Sequence, residues 1–460
     1  MYGEEGDTIA SALHANDVKV LSHSLRYKRP RGFFCGIGKC SSCFMTVNDI
    51  PNVRTCITPV KENIKVMEQD KGGELPNKQF INKDKKRIDV EIVIIGSGPA
   101  GLMAALAAAE QGASVLLIDE NHMVGGQLVK QTHRFFGSRE EKAGMRGIEL
   151  AVELMKKVVE YKESIQLMLA TTVIGCYKGK KRHNLIAVQK LADGDQLFEI
   201  NGHKIIVACG ALENMLAFPG NDLPGVYGAG GVQTLMNVYG VKPGKCVLMV
   251  GAGNVGLIVS YQLLQAGIMV DRVVEAMPKI GGYHVHAAKL RRCGVPIYTS
   301  HSIKEAYGKE KVEGAVVVKV DDYCQPISGT EENISCDTIC LAVGLTPSIR
   351  LIEQIGVRTE FILEAGGHVA VHDSSMQTNV RGIYIAGDSS GIEEASTAMI
   401  EGQLAGVSAA TSLGYDKNAS EVKRKCRSAL KVFRSGPFGE IPRVGKEKIA
   451  CCYRNGGLTY

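Results

Sequence analysis

The stretches VEIVIIGSGPAGLMAALAAAEQGASVLLIDE (90–120) and KCVLMVGAGNVGLIVSYQLLQAGIMVDRVVE (245–275) carry one pattern twice. Each reads as an apolar strand, a glycine turn, a helix of small and aliphatic residues, and a second apolar strand. Aligned on Gly96 and Gly251, Gly98 coincides with Gly253, Gly101 with Gly256, and Gly112 with Gly267. Glu120 and Glu275 both fall 24 residues after the first glycine, with Asp119 beside the first of them. One GxGxxG is weak evidence, whereas two in register, each between strand and helix, constrain the chain to an α/β architecture with two doubly wound nucleotide units.

The chemistry follows from the spacing. The first glycine makes a tight turn after the strand, the second lets a pyrophosphate approach the backbone, and the third lets helix and strand pack closely. The helix N-terminus offers free N–H groups and the positive end of its dipole. Ser97, Pro99 and Ala100 complete the first turn, and Asn254 and Val255 the second. An acid at the end of the second strand suits a ribose hydroxyl, which nominates Glu120 and Asp119 in one unit and Glu275 in the other. EAMPK after Val274 has no arginine at the next two positions, which disfavours a 2′-phosphate and leaves NAD or another adenine nucleotide for the second site.

A third segment, GIYIAGDSSG (382–391), is an apolar strand ending in Gly387-Asp388, with a small-residue helix after it. It resembles the second flavin motif of the two-dinucleotide-binding-domain flavoproteins, where the Asp holds the ribityl chain of FAD. KIIVACGA (204–211) and TICLAVGLTPS (338–348) are similar to that family's connecting strands, and GGQ (125–127) to its loop beside the flavin ring. The resemblance implies that FAD uses the first glycine turn with Gly126, Gln127, Val173, Ala208, Gly210, Gly387 and Asp388, and that the second unit is inserted into the FAD domain. The comparable stretch of thioredoxin reductase carries a redox Cys-x-x-Cys, but PGVYGAGGVQTLMN (224–237) has no cysteine, so thiol–disulfide exchange is not expected. Cys176, Cys209, Cys246, Cys293, Cys336 and Cys340 read as buried small hydrophobes. No proton-transfer pair stands out; His133, His284 and His286 are candidates only, and the catalytic residues stay unassigned.

Upstream, RGFFCGIGKCSSCFM (31–45) and NVRTC place Cys35, Cys40, Cys43 and Cys56 in a C-x4-C-x2-C-x12-C pattern. Structural zinc takes short cysteine pairs across a long loop, and bacterial [4Fe–4S] motifs read C-x2-C-x2-C. The first three cysteines match plant-type [2Fe–2S] spacing instead. Gly36 and Gly38 allow the loop to turn its N–H groups toward sulfur. EGDTIASAL, VKVLSHSLRYKRPRGFFCGIGKCSSC and PNVRTCITPVKENI resemble the [2Fe–2S] module of the sarcosine oxidase alpha, hydrogen cyanide synthase and dye-linked proline dehydrogenase group. That resemblance implies a β-grasp-like module ahead of the flavoprotein. It also implies a complex with a second flavoprotein subunit, which is amino-acid-oxidase-like and takes an amino or imino acid as substrate. The tail has Cys426, Cys451 and Cys452, too few for a further four-cysteine centre.

Composition fits this. A chain of 460 residues suggests several domains, and a net charge of +6 without a nucleic-acid motif argues against a nucleic-acid partner. A polar, acidic opening without a secretory leader pattern, no uninterrupted apolar run of membrane length, and 14 cysteines point to a reduced cytoplasm. The expected division is a cluster module over 1–67, a linker over 68–88, the FAD domain over 89–215 and 335–412, the inserted nucleotide domain over 216–334, and a tail over 413–460. The expected function is FAD- and [2Fe–2S]-dependent electron transfer as a subunit of a heteromeric amino- or imino-acid dehydrogenase. An NADH-dependent flavin iron–sulfur reductase and a regulatory subunit holding an adenine nucleotide are the alternatives.

Overall fold

The computed structural model describes residues 1–69, 72–74, 85–134, 142–191 and 194–456. The chain divides into two compact units, Met1–Gln79 with Glu213–Gly344, and Phe80–Leu212 with Leu345–Tyr460.

In the second of these, strand Lys86–Ile95 lies between Val115–Ile118 and Gly194–Val207, with Ile165–Met168 and Ile383–Ile385 at the two edges. All four pairings are parallel. The resulting chain order is 3-2-1-4-5, the doubly wound arrangement in which ligands meet the carboxyl ends of the strands. The near-continuous apolar run IVII at 92–95 is what burial on both faces demands. The first half of Gly194–Val207 leaves this sheet and forms an antiparallel meander with His183–Leu191 and Thr171–Tyr177. Helices Pro99–Gln111 and Ala395–Thr411 cross at van der Waals contact. A Cβ on Gly402 would sit 2.0 Å from Ala100 O, and one on Gly406 2.3 Å from Ala104 O, so glycine permits the crossing. Residues 413–460, read from sequence as a tail, include the amphipathic helices Ala419–Phe433 and Glu440–Gly456, packed into this unit.

The other unit repeats the plan. Cys246–Val250 lies between Met269–Glu275 and Thr338–Leu341, with Ile297–Thr299 and Val226–Gly228 outside them, again all parallel. A three-stranded meander, His301–Tyr307, Gly314–Lys319 and Glu332–Ile334, matches the one above. The internal repeat therefore extends well beyond the glycine turns.

The N-terminal segment belongs to this same unit. Its helix, Ile9–Ala15, opens on a Thr8–Ser11 capping box and accompanies a three-stranded antiparallel sheet, Ile50–Arg54, Phe44–Val47 and Val66–Met67. Ile9, Leu13, Leu21, Phe33, Cys43 and Met45 share one apolar cluster with Tyr227, Val232, Leu235, Val247 and Met249. A module this small buries too little to stand alone, and it completes its core on the nucleotide fold. Hence 1–67 and 216–334, drawn as separate bodies from sequence, form one unit, whose boundaries fall after Leu212 and Gly344. The polar region 68–88 ends inside strand Lys86–Ile95; residues 70, 71 and 75–84 of that linker reading lie outside the described residues.

Candidate functional site

The four cysteines converge. Cys35 lies within interaction range of Cys40 and Cys56, and Cys43 within range of Cys56, so the four thiols gather at one place. Among the described residues no three His, Cys, Asp or Glu side chains surround one ion position. Four cysteine thiolates are the ligand set of a [2Fe–2S] centre. Hydrogen bonds from Cys40 and Cys56, and then the N–H groups of Ile37 and Lys39, pull the Cys35 thiol far down. The Cys40 thiol is driven up by donating to Cys35 and by burial. Gly36 and Gly38 have φ +64° and +70°, which turns those N–H groups inward. Cys35, Cys43 and Cys56 are buried, whereas Cys40 is partly open. The loop is docked by its backbone: Gly228 N donates to Phe34 O at 3.2 Å, and a Cβ on Gly231 would lie 2.0 Å from that oxygen.

The two glycine turns have the same internal logic. A Cβ on Gly96 would meet Ala208 O at 2.3 Å, and one on Gly101 would meet Gly96 O at 1.7 Å. In the second unit Gly251 faces Ala342 O at 2.3 Å and Gly256 faces Gly251 O at 2.1 Å. The protein's own backbone therefore requires the first and third glycines. The second glycines differ. A Cβ on Gly98 would find nothing nearer than Gly126 Cα at 3.9 Å, and one on Gly253 nothing within 4 Å. Their φ values, −71° and −72°, suit any residue. Space at these two positions is what a phosphate needs, so the residues present fit a dinucleotide at each turn.

The acids are paired differently from the residue count. Asp119 Oδ2 accepts from Ser97 N at 2.6 Å and Oδ1 from Asn121 N at 2.8 Å. Glu275 Oε2 accepts from Ala252 N at 2.7 Å and Oε1 from Met277 N at 2.9 Å. Asp119, not Glu120, is thus the counterpart of Glu275. The register shift between Val247 and Leu248 in the strand pair adds the residue that misaligns the count. Glu120 follows Asp119, and Ala276 stands in its place in the second unit. The Ser97 hydroxyl is also held by Asp119, at 2.6 Å. A Gly-Gly pair begins six residues after each acid, at Gly125 and Gly281. Gly126 and Gly282 press on the second glycines, with added Cβ atoms 2.8 Å from Gly98 Cα and 2.9 Å from Gly253 C. The second pair escaped the sequence reading because the acids were aligned one residue apart. Asn254 Oδ1 accepts from Tyr283 N at 2.7 Å, and Val255 is exposed.

Around the first turn, Ala208 backs Gly96, while Gly210, with φ +69°, accepts through its carbonyl from Ser348 N at 2.9 Å and Ser389 Oγ at 3.1 Å. A Cβ on Gly387 would sit 2.9 Å from Ala100 Cβ, which brings the Gly387–Ser390 turn against the first Rossmann helix. The Asp388 carboxylate accepts a long hydrogen bond, 3.5 Å, from Glu393 N. Burial, reinforced by Glu401 and Glu393, pushes its carboxyl up to about 6. A carboxylate this poorly satisfied has capacity for ligand hydroxyls, as a ribityl chain supplies. The helix expected directly after Ser390 begins at Ala395. Gln127 is exposed on the short turn Gly126–Lys130, and Val173 lies in the meander strand opposite Ala187, two residues after Thr171, whose N–H donates to Asp119 O at 2.8 Å.

Sequence reasoning missed the groups behind Asp388. Glu401 accepts from Gly387 N at 3.1 Å and from Ser390 Oγ at 2.6 Å, and it is met by Arg434 and Lys446. No spacing marks these residues as partners. Among the six cysteines read as buried, Cys176, Cys336 and Cys340 are buried, Cys209 and Cys246 partly so, and Cys293 is exposed at the end of helix His284–Arg292. His286 is buried beside Tyr283, the two rings stacked with centroids 6.2 Å apart. Among the described residues no helix is long and apolar enough to cross a membrane.

Comparisons with known proteins agree with this geometry. Residues 1–71 match the 2Fe-2S iron-sulfur cluster binding domain, and residues 90–402 match the pyridine nucleotide-disulphide oxidoreductase family. The chain is 26% identical to the alpha subunit of sarcosine oxidase from Corynebacterium sp. (strain P-1), over 90% of this chain and 43% of that protein. It is 29% identical to an opine oxidase subunit of Rhizobium meliloti (strain 1021), over 74% and 75% of the two chains. It thus spans about half the length of the first curated relatives it matches. Among solved structures, L-proline dehydrogenase from P. horikoshii superposes with a TM-score of 0.69 at 26% identity, over 93% of this chain and 74% of that one. A T. acidophilum thioredoxin reductase, at 22% identity and a TM-score of 0.57 over 71% and 99%, shares the fold. The cofactors that go with these two domains are a [2Fe–2S] cluster and FAD. With its clustered thiols ahead of two glycine turns, the chain belongs to the pyridine nucleotide-disulphide oxidoreductase family, as an FAD oxidoreductase preceded by a [2Fe–2S] domain.

Proposed function

We propose that the chain is the electron-transfer subunit of a heteromeric amino- or imino-acid dehydrogenase, of the proline, hydroxyproline, glycine or opine type. The carrying observation is the co-occurrence, in one chain, of four clustered cysteines and a glycine turn whose second glycine is open, with Asp388 beside it. Cys35, Cys40, Cys43 and Cys56 hold the cluster. The first turn holds the pyrophosphate of FAD at Gly98 and the N-terminus of helix Pro99–Gln111. Asp119 fixes that turn through Ser97 while Glu120 faces the ribose, and Asp388 accepts from the ribityl hydroxyls. Bound there, FAD would supply exchange between two-electron and one-electron transfer, and the cluster would supply a one-electron carrier. The protein's part is to hold each group within its own unit and to set N–H donors toward the sulfurs. The amino-acid substrate binds a second, amino-acid-oxidase-like flavoprotein subunit; the relatives named as subunits of sarcosine and opine oxidases support this partner. We assign the protein to the cytoplasm on cysteines that form no disulfide among the described residues.

The open Gly253 favours a nucleotide at the second turn as well, NAD or another adenine nucleotide, with Asn254 and Val255 opening the helix there and Glu275 fixing the turn through Ala252 N. This supports a second reading, an NADH-dependent reductase feeding a protein partner. Purification of the tagged chain from its native host, with iron, flavin and nucleotide analysis, tests both. A co-purifying flavoprotein, with iron and FAD in the isolated chain, is expected. Rapid anaerobic bleaching by NADH without any partner supports the reductase. Retained ADP or ATP without NADH bleaching supports a regulatory second site. A chain without iron or flavin refutes all of these.

A further inference from the structure

The Gly387–Ser390 turn is gripped by Glu401 of helix Ala395–Thr411 and, through it, by cations from residues 434 and 446. Glu401 is 3% exposed, and its carboxylate meets Arg434 Nη2 at 2.6 Å and Lys446 Nζ at 2.7 Å. Lys446 Nζ also donates to Ser390 O at 2.8 Å and Ser390 Oγ at 2.7 Å. Arg434 makes a forked pair with Glu393, Nε to Oε2 at 3.1 Å and Nη2 to Oε1 at 2.7 Å. Glu393 N in turn donates to Asp388. Burial alone would raise Glu401, but Lys446 and Arg434 outweigh it and hold the carboxyl at about 2, so the anion persists.

The two cations are delivered by helices with their own anchors. Arg434 caps helix Ala419–Phe433, whose Cys426 and Leu430 enter the large apolar cluster of the FAD unit. Lys446 stands on helix Glu440–Gly456, where Ile449 packs with Ile362, Ala365 and Val369. The neighbouring Gly445 lets that helix approach closely; a Cβ there would be 3.2 Å from the Glu364 backbone. His372, buried beside the group, has a ring Nε2 without a hydrogen-bond partner and is uncharged near neutrality. The charges close to the turn are therefore Asp388, Glu393 and Glu401 against Arg434 and Lys446. Loss of either cation leaves buried negative charge next to the carboxylate that meets the cofactor, which is costly in a low dielectric.

We propose that Arg434 and Lys446 are positioning residues of the flavin site: acting through Glu401, Glu393 and Ser390, they fix the turn that bears Asp388 and set the affinity and midpoint potential of bound FAD. This rests on the reading that Asp388 belongs to the FAD site. Reduction by dithionite delivers two electrons to the isoalloxazine, which also takes one proton from solvent and gains one net negative charge. A nearby cation favours that product and a nearby anion disfavours it.

The test compares Lys446→Met, Glu401→Gln, the double variant and Lys446→Arg in the full-length holoprotein. Melting temperature, FAD dissociation constant and midpoint potential against a reference dye are measured. Both single variants lower the melting temperature. Lys446→Met lowers the potential and Glu401→Gln raises it, each by about 30 mV or more, which corresponds to a tenfold change in preference between reduced and oxidised FAD. The double variant and Lys446→Arg return toward wild type. Potentials that stay fixed, or move the same way in both single variants, overturn the proposal and reduce these residues to a structural brace. Should Lys446→Met fail to fold, the double variant and Glu401→Gln decide alone: an unraised potential in Glu401→Gln overturns it. Asp388→Ala with wild-type FAD affinity would instead overturn the underlying site reading.

Discussion

The second glycine of each turn separates what the protein needs from what its ligand needs, and Gly98→Ala exploits that. The new methyl would meet nothing nearer than 3.9 Å in the free protein. The backbone there, φ −71° and ψ −174°, is open to any residue. Alanine in place of glycine at this helix-capping position costs a few tenths to ~1 kcal/mol, and the loss of unfolded-state freedom returns ~0.4–1 kcal/mol. The cofactor-free protein should therefore melt within ~1 kcal/mol of wild type. The methyl occupies the space through which a pyrophosphate reaches the helix N-terminus. Loss of one charged N–H···phosphate bond costs ~1.5–3 kcal/mol, roughly a 10- to 150-fold weaker dissociation constant. Fluorescence titration of the stripped protein with FAD measures it, and differential scanning fluorimetry of the same sample measures stability. Gly101→Ala is the contrast: its methyl would lie 1.7 Å from Gly96 O, so it should destabilise the free protein itself by ~3 kcal/mol or more. Gly253→Ala should leave FAD binding untouched and weaken the second nucleotide. Unchanged FAD affinity in Gly98→Ala, or a loss of stability as large as that of Gly101→Ala, refutes the reasoning.

Further expectations follow from other parts of the molecule. Cys40→Ser should remove the [2Fe–2S] signal in electron paramagnetic resonance of the reduced protein while FAD stays bound; joint loss of FAD would show that the two sites do not assemble separately. Gly231→Ala places a methyl 2.0 Å from Phe34 O, so it should lower stability by ~2 kcal/mol or more and reduce iron content, read by calorimetry and metal analysis. Burial lowers His14 and His372 from 6.5 to about 4, so each takes up its proton in the unfolded chain first. Stability is then fully present above pH 6.5 and falls as pH drops toward 4, by on the order of 3 kcal/mol per histidine. Asp388, raised from 3.8 to about 6, opposes this between those values in the cofactor-free protein. Denaturant titrations from pH 7 to pH 4 check the slope, and His14→Gln should remove part of it.

Much of the fold lies open in the sequence because its determinants are local. Gly96, Gly101, Gly251 and Gly256 are required by atoms close to them in the same turn or the adjacent strand end, so a short window of sequence records the need. The cysteine spacing is legible for the same reason: Ile37 and Lys39 supply N–H groups within the loop that Gly36 and Gly38 shape. The pairing of acids is less legible, since a single irregularity in the strand pair at Val247 and Leu248 displaces Glu275 by one residue and gives it the partners of Asp119. The shared core of residues 1–67 with the second nucleotide fold is not legible at all. An amphipathic helix such as Ile9–Ala15 shows which face it buries, and nothing in it names Tyr227 as the surface that covers that face.

The same limit explains why the C-terminal helices read as a tail. Lys446 and Glu401 are 45 residues apart, and each looks like an ordinary helix-surface charge in its own window. Only the crossing of helices Pro99–Gln111 and Ala395–Thr411, at Gly402 and Gly406, sinks Glu401 beneath the Gly387–Ser390 turn. Once buried, that carboxylate requires compensation, because an unpaired anion there would cost several kcal/mol. The two cations that supply it must come from an element able to reach the turn. Residues 419–456 are the part of the described chain that does so. If the tail served stability alone, an apolar pair in place of Glu401 and Lys446 would do as well or better. A charged pair instead keeps a defined field beside Asp388, and that field is what the opposed potential shifts of Lys446→Met and Glu401→Gln would reveal.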